Sequence, residues 1–306
     1  MNHSIVFAGT PENAAQTLRA LVQSGIEVAL VVTKPDKPVG RKKVITESPV
    51  AKLATDLGLP TLKTESIDLQ ALQSIESSGA YLGVIVAYGS ILQENALEAL
   101  PGGWINLHYS LLPAYRGAAP VQRALYDGCT TTGVTIFKLD TGIDTGLVYG
   151  TAELEIAPED NATTLLNKLT ELGSSLLLQE IPGIYAGLSV AKRQEGATTP
   201  ARKVTREDAR LDFKKNARTL ENIVRASNPE PGAWVLYQGQ PFKILAAFAI
   251  GQTALPPGEA TLEGNRIVLG CANNTGLMLK QVQPAGKTPM DAQDWFRGVA
   301  KKVQFE

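Results

Sequence analysis

Ile5-Val6-Phe7-Ala8-Gly9-Thr10-Pro11-Glu12 is an apolar run that breaks at a glycine and restarts with a helix signal. Four consecutive apolar residues without polar alternation suit a strand covered on both faces, as in a parallel sheet. Thr10 reads as the N-cap and Pro11 as the first residue of a helix. Its Leu18, Leu21 and Val22 recur at helical spacing until Gly25 stops it. Val28 to Val32 is the next buried strand. Strand, helix and strand form a βαβ unit and predict an α/β fold with a Rossmann-like, mostly parallel sheet. Gly9-Thr10-Pro11 is not the G-x-G-x-x-G pattern, so this fold does not carry a dinucleotide site with it.

The alternation continues outward. Ser48-Pro49 opens a helix through about Leu57, a short strand lies near Thr61-Leu62, and a helix spans about Leu69 to Ser77. Tyr81 to Gly89 is almost wholly apolar and reads as a central strand. Tyr88 near its end fits two readings equally, a ring facing a ligand or a packed core aromatic. Between the early elements, residues 34–43 (Lys-Pro-Asp-Lys-Pro-Val-Gly-Arg-Lys-Lys) hold five cations against one acid. They read as an exposed, mobile loop, either a solvated surface or an arm that follows a phosphate backbone.

Bulk properties bound the rest. A chain of 306 residues buries a large core and fits two domains. A net charge of −1 argues against a protein that coats nucleic acid while permitting a local basic patch. No signal-peptide pattern opens the chain, and no stretch reaches the roughly 20 apolar residues of a membrane span. Cys129 and Cys271 lie far apart without metal-ligand spacing. These features describe a cytoplasmic enzyme. No sustained exposed apolar stripe calls for a dimer, so a monomer is expected.

Residues 104–120, WINLHYSLLPAYRGAAP, carry the chemistry. Trp104 to Leu107 opens as a short buried strand, and alternation places Asn106 and His108 on one side. An amide donor can hold a developing oxyanion and an imidazole can move a proton. Each residue alone also has a structural reading, as a turn-pinning amide or a satisfied histidine. A second segment, residues 133–146 (GVTIFKLDTGIDTG), runs from a β-branched strand into a loop with glycines at 142 and 146 and acids at 140 and 144. Such a loop brings backbone close to a ligand, and its carboxylate can orient an imidazole.

These two segments in this order resemble the 10-formyltetrahydrofolate-dependent formyltransferase family. His108 and Asp144 stand 36 residues apart. The resemblance implies a catalytic set of Asn106, His108 and Asp144, and folate contacts by Ser110-Leu111-Leu112-Pro113 with Tyr88 lining the pocket. It implies 10-formyltetrahydrofolate as formyl donor, without a metal or nucleotide cofactor. Residues 34–43 resemble the insertion loop by which methionyl-tRNA formyltransferases engage initiator tRNA, which gives tRNA-binding roles to Arg41, Lys42 and Lys43. Three positions depart from the family pattern: Asn13 after Gly-Thr-Pro-Glu, Ala114 after Ser-Leu-Leu-Pro, and Leu147 after the Asp-Thr-Gly run.

Farther along, Leu147 to Ile156 reads as a strand and about Ala162 to Gln179 as a helix with one leucine stripe. Residues 189–205 read as a linker, dividing a catalytic domain at 1–188 from a C-terminal domain at 206–306. Short strands separated by Gly and Pro from Trp234 onward suggest a small barrel, which the family comparison makes OB-like and tRNA-facing. From residue 206 on, 13 Lys or Arg stand against 10 Asp or Glu. The whole pattern implies transfer of formyl to the amino group of methionyl initiator tRNA. The catalytic half alone leaves an amino sugar nucleotide or water as acceptor, and a tRNA-binding protein without catalysis would need no intact Asn-His-Asp set.

Overall fold

The computed structural model describes residues 3–40, 42–299 and 301–306. In chain order its first elements are β1 (Ile5–Gly9), α1 (Glu12–Gln23), β2 (Val28–Thr33), β3 (Lys37–Val39), β4 (Val44–Thr46), α2 (Pro49–Asp56) and β5 (Thr61–Lys63). Then come α3 (Leu69–Ser77), β6 (Leu82–Val86), α4 (Glu94–Leu97), β7 (Trp104–His108), α5 (Pro120–Tyr126), β8 (Thr131–Lys138), β9 (Val148–Glu155) and α6 (Ala162–Tyr185).

Seven strands form one sheet in the order β5-β2-β1-β6-β7-β8-β9. The first five run parallel, and β8 and β9 are added antiparallel. The fully buried strands β1 and β6 are the continuous apolar runs of the sequence. Trp104 on β7 fixes the spacing to β6: a Cβ at Gly83 would lie 2.0 Å from its ring. The Trp104 indole donates to the Ala96 carbonyl at 2.7 Å, so the buried aromatic leaves no donor unpaired.

Two local expectations change. Thr10 does not cap α1. The helix begins at Glu12 with Pro11 at the N-cap and no side-chain cap. The Thr10 hydroxyl instead donates to the Tyr88 carbonyl at 3.1 Å, tying the end of β1 to the end of β6. Ser48 does cap α2, accepting from Ala51 N at 3.0 Å. The basic segment is not an irregular loop, because β3 and β4 pair antiparallel as a hairpin, Lys37 opposite Thr46 and Val39 opposite Val44. β-branched residues at 39 and 44–46 supply the strands, and the turn between them includes Gly40 at φ +72°.

The chain divides into two compact units that do not follow sequence order. One holds 1–117, 131–155 and 166–200; the other holds 118–130, 156–165 and 201–306. The segment expected as a linker is bonded into these units. Val148 and Lys192 exchange backbone hydrogen bonds, and Arg116 N donates to the Thr199 carbonyl at 2.9 Å.

The second unit contains α7 (Ala217–Ser227), β10 (Ala233–Tyr237), β11 (Gln240–Gln252), β12 (Glu259–Glu263), β13 (Arg266–Cys271) and β14 (Thr275–Pro284). It ends with β15 (Met290–Asp291), α8 (Ala292–Phe296) and β16 (Lys302–Gln304). The antiparallel order is β10-β11-β14-β13-β12-β16. Its two edges meet where Leu236 and Glu306 exchange backbone hydrogen bonds at 2.9 Å, which curls the sheet into an OB-like barrel. Tyr237, Phe242, Trp295 and Phe305 pack ring against ring inside it, with Phe242 and Trp295 centroids 4.7 Å apart.

Candidate active site

β7 ends at His108, and its pairing with β8 sets Asn106 opposite Phe137 and His108 opposite Thr135. Asn106 and His108 therefore share one face near the carboxyl end of β7, where open α/β sheets bind ligands. Asn106 is half-buried, and among the described residues its amide makes no hydrogen bond. His108 is 6% exposed, with the Phe137 ring edge-on at 6.3 Å.

The two imidazole nitrogens have different neighbours. Nε2 lies 2.9 Å from the Tyr115 carbonyl, which can only accept, so Nε2 carries a proton. Nδ1 faces Asp144 Oδ2 at 3.7 Å, too long for a direct hydrogen bond but within strong charge interaction. Asp144 Oδ2 itself accepts from Gly117 N at 2.7 Å. Burial pulls the imidazole below its ordinary value, while the Asp144 carboxylate and the Tyr115 carbonyl act in the opposite sense. The ring is therefore neutral at pH 7, with its Nδ1 lone pair directed toward a carboxylate. It is set to take a proton and to have the resulting charge neutralised.

The loop that presents Asp144 is tightly specified. Asp144 has φ +52°, a conformation that costs a non-glycine residue energy unless its surroundings hold it. Asp140 Oδ1 accepts from Gly142 N at 3.0 Å and from the Thr145 hydroxyl at 2.7 Å. A Cβ at Gly146 would lie 1.7 Å from the Lys138 carbonyl oxygen, so only glycine fits there. Gln194 completes the loop. Its Nε2 donates to the carbonyls of Asp144 and Gly146, each at 2.9 Å, and its Oε1 accepts from Arg116 Nη2 at 2.6 Å and Nε at 3.2 Å.

Residues 110–113 form the adjoining loop. Ser110, Leu112 and Pro113 are buried and Leu111 is half-buried. The Ser110 hydroxyl donates to the Ala114 carbonyl at 2.6 Å, and Thr135 Oγ1 accepts from Leu112 N at 3.1 Å while donating to the Ser110 carbonyl at 2.7 Å. These side chains shape the loop, so what they offer a ligand is backbone and the Leu111 surface. Tyr88 is 1% exposed; its hydroxyl donates to the Thr64 carbonyl at 3.3 Å, Lys34 Nζ stands 5.0 Å from its ring, and burial pushes its phenol up to about 12. Of its two readings, packing is the one this burial supports.

Arg41 lies outside the described residues. Lys42 and Lys43 are exposed beside Val44 and Ile45, themselves 59% and 64% exposed. Lys34 and Lys37 are committed elsewhere, both pairing with Glu65. The departure at Asn13 also has an account: its amide donates to the Tyr109 hydroxyl at 2.8 Å in a buried polar cluster with Thr17, Thr170 and Ser174. Nothing in the structure accounts for Ala114 or for Leu147, which is 42% exposed.

The sequence pattern did not single out Tyr115, Gly117, Thr135 or Gln194. The first two act through backbone groups, which carry no residue signature. Gln194 lies 50 positions beyond Asp144, in a stretch that looks like linker.

A Rossmann-like sheet carrying an amide, a buried imidazole and a carboxylate at its carboxyl edge, with an OB-like domain following, has the equipment of an acyl-type group transferase. Residues 2–181 match the Formyl transferase family and residues 203–300 match the Formyl transferase C-terminal domain. Methionyl-tRNA formyltransferase of Clavibacter sepedonicus is 45% identical over 299 residues, covering 97% of this chain and 98% of that one. The enzyme of that name from Paenarthrobacter aurescens is 42% identical over 305 residues, covering 99% of both. In fold, the chain is similar to an N-formyltransferase from Helicobacter canadensis solved with folinic acid and dTDP-3-aminofucose, at a TM-score of 0.68 and 17% identity over 92% of this chain and 99% of that one. It is also similar to methionyl-tRNA formyltransferase from Clostridium thermocellum, at a TM-score of 0.57 and 14% identity over 90% and 99% of the two chains. The chain belongs to the formyltransferase family, and its chemistry is formyl transfer.

Proposed function

We propose that this chain transfers the formyl group of 10-formyltetrahydrofolate to the amino group of methionyl initiator tRNA, giving N-formylmethionyl-tRNA for translation initiation. One observation carries the choice of acceptor: relatives named methionyl-tRNA formyltransferase match at 40–45% identity over nearly the whole chain, hairpin and C-terminal domain included. The site supplies the chemistry.

A methionyl α-amine titrates near pKa ~7.7–8.0 as a free amine, so roughly a tenth or more of it is already unprotonated at pH 7 and little activation is needed. Its nitrogen bonds to the formyl carbon, the carbonyl oxygen takes up negative charge, and the C–N10 bond then breaks. The amine loses one proton and N10 of the folate gains one. Asn106, whose amide is uncommitted, donates to the oxyanion. His108 takes the proton at Nδ1, beside Asp144, and the imidazolium so formed offsets the oxyanion charge. Asp144 stabilises that cation, as the acid of a triad does. Ser110 to Pro113 wall the folate subsite through backbone and Leu111, and Lys42 and Lys43, with Arg41, follow the tRNA phosphates. The reading needs no metal and no nucleotide cofactor, and it puts the chain in the cytoplasm, where translation begins; we propose that it acts there as a monomer.

The test is a transfer assay with methionyl initiator tRNA, free methionine and an amino sugar nucleotide as parallel acceptors. Product on the charged tRNA alone is expected. Asn106→Ala removes one oxyanion donor, and kcat should fall roughly 100- to 1000-fold, as for such a loss elsewhere. Wild-type turnover in that variant would end the oxyanion role, and formate release without any acceptor would end the assignment of the acceptor.

A further inference from the structure

The loop holding Asp144 and the segment 115–117 form two walls of the site. His108 and Asp144 are each bonded to the second wall, through the Tyr115 carbonyl and Gly117 N. We infer that Gln194 is the positioning residue that locks these walls together and so sets the His108–Asp144 separation. This rests on the formyl-transfer reading of the site.

Gln194 has the capacity for the task and uses it fully. The two amide hydrogens go to the Asp144 and Gly146 carbonyls, and the amide oxygen takes both Arg116 contacts. The orientation is forced, since a flipped amide would set oxygen against two carbonyls and NH2 against a guanidinium. Arg116 is the residue between Tyr115 and Gly117, so one side chain reaches both walls. Asp144 is the non-glycine residue at positive φ in the loop, and its carbonyl is among the groups Gln194 holds. A strained conformation persists only where its surroundings over-determine it. The segment carrying Gln194 is itself fastened nearby, where Val148 and Lys192 exchange backbone bonds. Among the described residues, Asn106 on β7 also brings an amide to the site, and it makes none of these bonds.

Gln194 touches neither His108 nor the reacting atoms, so its removal should act through geometry. Gln194→Met keeps length and volume without either hydrogen-bonding function. Gln194→Leu, also neutral and without either hydrogen-bonding function, is the second variant and adds no charge beside the imidazole. With methionyl tRNA as acceptor, kcat should fall between about tenfold and a hundredfold in each, as for a misplacement of about 1 Å, with KM within twofold. The readout that a merely structural role would not move is the titration of His108, followed by NMR of the imidazole; His3 is the chain's one other histidine. In both variants its midpoint should shift to lower pH, because the carboxylate that favours the protonated ring is no longer held beside it. An unchanged midpoint with unchanged kcat in the folded Gln194→Leu protein overturns the assignment, and so does a loss of kcat with an unchanged midpoint. Should Gln194→Met fail to fold, Gln194→Leu alone decides. If the unaltered protein formylates no tRNA, the acceptor reading fails, while the His108 titration still decides the role of Gln194.

Discussion

His108 and Asp144 stand 3.7 Å apart inside a buried site, and the distance divides their labour. Nε2 donates its proton to the Tyr115 carbonyl, so Nδ1 is the nitrogen that changes state. Burial lowers the imidazole and Asp144 raises it, and the first effect is larger. Replacing Asp144 with Asn removes the opposing charge and leaves burial alone. The His108 midpoint should then move further below 6.5, and the acid limb of kcat should move down with it, at a turnover reduced by about tenfold or more. Stability carries the matching sign. The folded value lies below the unfolded one, so the unfolded chain binds the proton first as pH falls from 6.5, and the native state loses stability in that window and not above it. An NMR titration of the two proteins checks this, and an equal midpoint in both would remove Asp144 as the electrostatic partner. The residue types of this trio were legible in the sequence because chemistry selects them. Tyr115 and Gly117 were not legible, since a carbonyl and an N–H are common to every residue. Gln194 was not, since its partners are also backbone.

The β3–β4 hairpin shows what charge counting alone cannot resolve. Five cations in ten residues suggested one basic arm, but Lys34 and Lys37 turn back to Glu65. Lys63 pairs with both Asp36 and Glu47 at 2.7 Å. These pairs pin the base of the hairpin and leave its turn, with Lys42 and Lys43, exposed. Replacing Lys42 and Lys43 with Ala should therefore raise KM for methionyl tRNA and flatten its dependence on salt by about two counterions. Replacing Lys37 should change that slope little. Initial rates between 50 and 200 mM salt, a range on the scale used for such contacts, separate the two outcomes. Equal slopes in the Lys42 and Lys43 variant and the parent would mean the turn does not meet phosphate. The strands of the sheet were legible from their apolar runs, yet the antiparallel direction of β8 and β9 was not. A buried run looks the same in either direction, and only the hairpin loop at 139–147 settles it.

At the scale of the whole chain, the sequence suggests a simple cut near 189–205, whereas residues 118–130 and 156–165 cluster with the C-terminal barrel. That interleaving is invisible to a linear reading because it depends on bonds made at long separation. Arg225 on α7 donates to the carbonyls of Asp160 at 2.6 Å and Ala157 at 2.8 Å. Arg123 on α5 pairs with Asp208 at 3.0 Å, and both are largely buried. Arg202, then the Thr205 bonds and Arg123, hold the Asp208 carboxyl well below the usual carboxylate range. α5 also packs on α7, where Gly128 admits the Asn222 amide: a Cβ there would lie 2.6 Å from its Nδ2. A fragment of residues 203–306 keeps every strand of the barrel and the Thr205 bonds but loses Ala157, Asp160, Arg123, Arg202 and α5. Hydrogen bonds to charged groups contribute about 1.5–3 kcal/mol each, against a total stability of roughly 5–15 kcal/mol for a domain. Losing three of them, along with the α5 face, should leave the fragment marginal at 25 °C, with a melting transition well below that of the intact chain and an α7 face prone to association. Calorimetry of the fragment beside the intact protein measures this directly. A cooperative fragment melting with the full chain would mean that the barrel stands on its own aromatic core and that the early segments merely rest against it.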